Sequence, residues 1–177
     1  MRSPALPDLR PRFPVEEVKH WASLYAYADD SSVVRIGKRA RKRGRYTRSE
    51  FLEVAEWKTD RSKSRCALNS KEAVRDATTL ALRTPDERLR IGVLTLLQGI
   101  DIRTASVFLH LGHKDPYPIL DIRALWSLGV DREPTYYPFE LWEAYVRTCR
   151  ALAGEAGVDM RTLDRALWQY SAEHQRP

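Results

Sequence analysis

Cysteine is scarce in this chain of 177 residues: there are two, Cys66 and Cys149. Two thiols can build neither a disulfide framework nor a four-thiolate metal site. No apolar run reaches the roughly 18 residues a bilayer span requires, so no membrane partner is expected. The first fourteen residues hold Pro4, Pro7, Pro11 and Pro14 and no apolar stretch. That pattern excludes a secretory signal and predicts a flexible segment over 1–14, ahead of a single domain over 15–177. Alternating apolar and polar runs of the kind strands need are also scarce, and no internal repeat stands out. These absences point to a reduced, cytoplasmic, soluble protein, nucleoid-associated if the source is bacterial.

Positive charge is abundant and uneven. Residues 1–65 carry 16 basic and 9 acidic side chains, while residues 66–177 carry 14 and 15. A basic half beside a neutral half suggests a polyanion as partner. Much of the excess falls between Arg35 and Arg48, which includes Lys38, Arg39, Arg41, Lys42, Arg43 and Arg45. Mutual repulsion favours exposure, and the stretch is expected to be a loop: a solvated basic loop or a phosphate-contacting arm.

Helical periodicity dominates elsewhere. Val15–Tyr27 repeats apolar residues at helical spacing. Capping-box patterns open at Thr47/Glu50, at Asn69/Glu72 and at Thr84-Pro85-Asp86-Glu87. Further helices are expected over about 103–111, over 122–128 behind Asp121, from Pro138 to Leu152, and behind Asp159. The chain therefore reads as all-α, with about eight helices.

The most informative stretch is Leu96-Leu97-Gln98-Gly99-Ile100-Asp101-Ile102-Arg103-Thr104-Ala105, followed by Tyr117-Pro118-Ile119-Leu120-Asp121. Two helices joined by a short turn with glycine form a helix-hairpin-helix. Its backbone N–H groups can hold a phosphate without reading base sequence.

These residues resemble the helix-hairpin-helix DNA glycosylase superfamily, which includes endonuclease III and the adenine-mismatch glycosylases. The family pattern is roughly L-P-G-V-G-x-x-T-A, with an Asp about 18 residues past the residue before Thr. Leu97, Gly99, Ile100, Thr104 and Ala105 match it, and Asp121 lies 18 residues after Arg103. The resemblance covers about Leu89 to Leu128. It implies two helical lobes, near 66–137 and near 15–65 with 138–177, with DNA as partner. It also implies phosphate contacts from Gln98, Gly99, Ile100, Asp101, Arg103 and Thr104. Asp121 would be the catalytic carboxylate, stabilising positive charge on the sugar as the N-glycosidic bond of a flipped base breaks.

Gln98 stands where the family commonly has Pro, and Asp101 where it has its second Gly. Arg103 occupies the place of the Schiff-base Lys in bifunctional members. A guanidinium stays protonated, so any excision would be hydrolytic, without lyase chemistry. No cysteine cluster follows, so neither an iron–sulfur cluster nor any other cofactor or metal is expected. Trp57, Lys58 and Tyr117 are candidates for a base pocket. For Trp57 and Lys58 the alternative is a core ring and a cation at a helix end, and Tyr117 could simply pack. Asp is also a preferred helix N-cap, so Asp121 has a structural reading beside the catalytic one. Three functions stay open: a monofunctional DNA glycosylase, a DNA-binding protein of the same type without catalysis, and a helical scaffold whose protein partners the sequence does not name.

Overall fold

The computed structural model describes residues 6–26 and 29–175, and among these the chain is all-α, with no strand. Ten α-helices follow in order: α1 Val18–Ser23, α2 Ser31–Arg43, α3 Arg48–Lys58, α4 Lys63–Cys66 and α5 Lys71–Arg83; then α6 Glu87–Thr95, α7 Ile102–Gly112, α8 Ile122–Ser127, α9 Phe139–Ala156 and α10 Met160–His174. Short 3₁₀ turns precede α1 and α4.

The chain divides into two compact units. One is the continuous segment Ala28–Ile119; the other joins Met1–Tyr27 to Leu120–Pro177. These boundaries differ from the expected lobes. The stretch up to residue 65 is split, and residues 120–137 join the C-terminal helices.

In the continuous unit, α7 is the central helix, and α2, α3, α5 and α6 all pack on it. Eight of its eleven residues are buried, Val107, Phe108 and Leu109 among them. Phe51 of α3 stacks on Phe108 with ring centroids 5.2 Å apart. Tyr46 meets the same ring edge-on and donates its hydroxyl to the Phe108 carbonyl at 2.8 Å. Burying an apolar side chain of this size contributes about 1.5–3 kcal/mol.

Helix α2 corrects the expected basic loop. Val33, Ile36, Gly37 and Ala40 recur at helical spacing and are buried, while Arg35, Lys38, Arg39, Arg41 and Lys42 face solvent. Arginine and lysine are good helix formers, so charge density did not prevent the helix. Gly37 sets its distance from α7: a Cβ there would lie 2.4 Å from the Leu111 carbonyl oxygen.

Two expected caps shift. The α5 N-cap is Ser70, whose hydroxyl accepts from the Ala73 N–H, not Asn69. The α6 N-cap is Asp86, not Thr84. The Thr47/Glu50 capping box forms as read.

In the other unit, α1, α8 and α9 pack on α10. The segment ahead of α1 is not wholly flexible: Arg10 and Arg12 donate their backbone N–H groups to Leu128 and Ser127, each at 2.9 Å, and Phe13 is buried. Residues 1–5 of that expectation lie outside the described residues, as does Tyr27, the expected end of α1. Trp142 is buried. Trp126 and Trp168 are half-buried and carry the Arg12 and Arg123 guanidiniums over their rings at 4.4 and 5.1 Å.

Candidate nucleic-acid interface

Helices α6 and α7 pack on one another and are joined by residues 96–101. Gly99 takes the left-handed φ of +80°, and a Cβ there would press to 2.8 Å from the Cys66 sulfur. Only glycine suits both constraints.

Asn69, outside the motif, holds this turn. Its Nδ2 donates to the Gln98 and Cys66 carbonyls, both at 2.9 Å, and its Oδ1 accepts the Gln98 N–H at 2.8 Å. The Ile100 N–H turns back to the Leu97 carbonyl. At the start of α7, Asp101 accepts the Thr104 N–H at 2.8 Å, and Arg103 pairs with the same carboxylate at 3.0 Å. Burial raises the Asp101 carboxyl, but the Thr104 bonds and Arg103 outweigh it and hold it below its ordinary value. A carboxylate thus occupies the helix end that a phosphate would use. Of the six residues expected to touch phosphate, Ile100 and Thr104 have buried side chains, and their N–H groups are already bonded to the Leu97 carbonyl and the Asp101 carboxylate. Gln98 and Asp101 are exposed, and Gly99 and Arg103 are half-buried.

Tyr117 packs, the second of its two readings. Its ring is 0% exposed, and its hydroxyl donates to both Glu87 carboxylate oxygens at 2.7 and 2.9 Å. It belongs to a buried network with Arg90, whose guanidinium reaches the Ala81 carbonyl at 2.8 Å and the His113 Nε2 at 2.6 Å. Burial and then the Arg90 charge push the His113 ring below its ordinary value. His110 lies apart, with Nδ1 against the Tyr117 carbonyl. Among the described residues, no group of three or more His, Cys, Asp or Glu side chains gathers in a way that could hold a metal ion.

Trp57 and Lys58 end α3, both half-buried. Cys66 has basic neighbours, yet burial raises its thiol.

On α2 the basic side chains split into two groups. Arg43 and Arg39 pair with Glu50 at 2.7 and 3.1 Å. Burial raises the Glu50 carboxyl, but Arg43, the Thr47 N–H and Arg39 bring it down to about 2. Arg41 donates to the Leu111 carbonyl at 3.3 Å. Lys38 and Lys42 are exposed, as is Arg45 just after the helix.

Asp121 belongs to the other unit. It is the N-cap of α8, half-buried, and its Oδ1 accepts the Arg123 N–H at 3.0 Å. Helix α10 brings Asp164 to the same neighbourhood, which no sequence spacing signalled. Asp164 pairs with Arg161, and both Asp164 and Asp121 act on the buried Tyr145. Burial, then Cys149 and these carboxylates, push the Tyr145 hydroxyl well above its usual range.

No family model, no curated protein and no solved structure matches this chain. Among the described residues, no helix is long and apolar enough to cross a membrane.

Proposed function

We propose that the chain is a DNA-binding protein of the helix-hairpin-helix glycosylase type, which hydrolyses the N-glycosidic bond of a flipped, damaged or modified base. The observation that carries this reading is the α6–α7 hairpin with its left-handed Gly99, followed by a part-exposed carboxylate at Asp121. Asp121 would stabilise the cationic sugar and orient the water that adds to its anomeric carbon, while the base leaves with the electrons of the broken C–N bond. Arg103 offers no amine for a Schiff base, so the product would be an intact abasic strand.

The test treats a panel of lesion-bearing duplexes with protein and then with alkali. Breaks are expected at one lesion class, and Asp121→Asn should reduce them at least ~100-fold while DNA affinity stays within about twofold. Persistent base release in Asp121→Asn would overturn the role of this carboxylate.

A second reading, DNA binding without excision, is favoured by the Asp101–Arg103 pair closing the N-terminus of α7. Salt-dependent binding of duplex DNA, with no alkali-sensitive break at any lesion, would select it.

A further inference from the structure

The C-terminal ends of α2 and α5 and the segment just after α7 border an open cleft of about 290 Å³ lined by Arg41, Lys42, Arg43, Gly44, Arg83 and Lys114. Five cations converge here, drawn from three separate elements, and no carboxylate lines the cleft. Helix C-termini attract cations, which offers an ordinary explanation. The magnitudes decide against it as the whole account. Three helix ends supply about half a negative charge each. Glu50, which pairs Arg43, supplies one more. Roughly two to three positive charges remain uncompensated. Among the described residues, the side chains of Lys42, Arg83 and Lys114 carry no ion pair or hydrogen bond. Arg83 reaches over the end of α2, where a Cβ on Gly44 would lie 3.0 Å from its guanidinium. Holding like charges together costs free energy that an anion would recover.

Outside the cleft, Arg35 and Lys38 lie with the lining Lys42 on one exposed line of α2, about 10 Å long, that runs into it. A row of cations ending in a pocket suits a chain of phosphates better than a single ion.

We infer that this cleft is a phosphate seat for a nucleic-acid backbone, with Arg83 and Lys114 as its unassigned members. The inference rests on the DNA-binding reading for the source of the phosphate, but not for the seat itself.

The experiment measures binding of a fluorescent, undamaged 20-base-pair duplex and, separately, of inorganic pyrophosphate. The proteins are the full chain, Arg83→Gln, Arg83→Gln/Lys114→Gln and Lys71→Gln. Lys71 opens α5, some 18 Å along the helix from Arg83, and controls for loss of charge alone. The double variant is expected to bind DNA at least ~10-fold more weakly, with a log–log salt slope shallower by about 2. Arg83→Gln should lose more affinity than Lys71→Gln. Duplex binding that is unchanged in the double variant, or weakened no more by Arg83→Gln than by Lys71→Gln, would overturn the seat and leave the DNA reading standing. If wild type binds pyrophosphate but not DNA, and the double variant loses pyrophosphate, the seat stands and the DNA reading falls. Binding of neither probe overturns both. Arg83 and Lys114 are exposed, and a thermal melt of each variant confirms that the fold is kept.

Discussion

Glu50 shows how one side chain organises a basic helix. It caps α3 by accepting the Thr47 N–H at 3.0 Å, and it neutralises Arg43 and Arg39 on α2. An unfolded glutamate titrates near 4.5, whereas the folded carboxyl titrates at about 2. The folded state therefore binds fewer protons between those values. The stabilisation is complete above about pH 4.5 and is lost as pH falls through about 2. Glu50→Gln should cost about 2 kcal/mol at pH 7, a figure that allows for solvent screening of the exposed Arg39. It should also flatten the pH dependence of stability between pH 4.5 and 2. Urea melts across that range check both, and an unchanged slope would exclude Glu50 as the source. Asn69 is a second organiser. The sequence marks it as a helix cap, and the hairpin turn takes it instead, because Ser70 sits one residue closer to α5 and does the capping.

Among the elements, the pair α2 and α7 sets the geometry of the continuous unit. Gly37→Ala would drive a methyl to 2.4 Å from the Leu111 carbonyl oxygen, a backbone atom that cannot swing aside. Overpacking of this kind should cost about 3 kcal/mol, measured as a lower urea midpoint with the slope unchanged. A neutral result would mean that the helices do not approach as closely as described. The same pair shows what was legible beforehand. Helices with long apolar stripes, such as α9, or with a stripe and an Asp cap, such as α7 and α10, can be read directly from residue spacing. Helix α2 could not, since glycine and alanine form half of its buried stripe and eight cations crowd residues 35–48. Periodicity in Val33, Ile36, Gly37 and Ala40 was the available signal. The two helices on either side of Gly99 and the Asp121 cap were also legible. The cleft was not, because Arg83 and Lys114 join Arg41 and Lys42 only through tertiary packing. Asp164 approaches Tyr145 beside Asp121 for the same kind of reason, from 43 residues further along the chain.

For the whole molecule, the decisive feature is that one unit is continuous and the other is assembled from both ends of the chain. The continuous unit holds its own buried residues, among them Ile36, Phe51, Val54, Leu94, Phe108 and Leu109. Residues 29–119 expressed alone should therefore give a helical spectrum and a single cooperative urea transition. A non-cooperative melt would show that this core is incomplete. The other unit has a different history during synthesis. Phe13 and Trp21 are made about 150 residues ahead of their ring partner Tyr170. At ordinary translation speeds that interval is on the order of ten seconds or more. For that time the two aromatic rings have no native shelter, while the segment between can already have folded. Birth order, as much as energy, thus gives these two aromatics a longer wait for their ring partner than Phe51 has for Phe108.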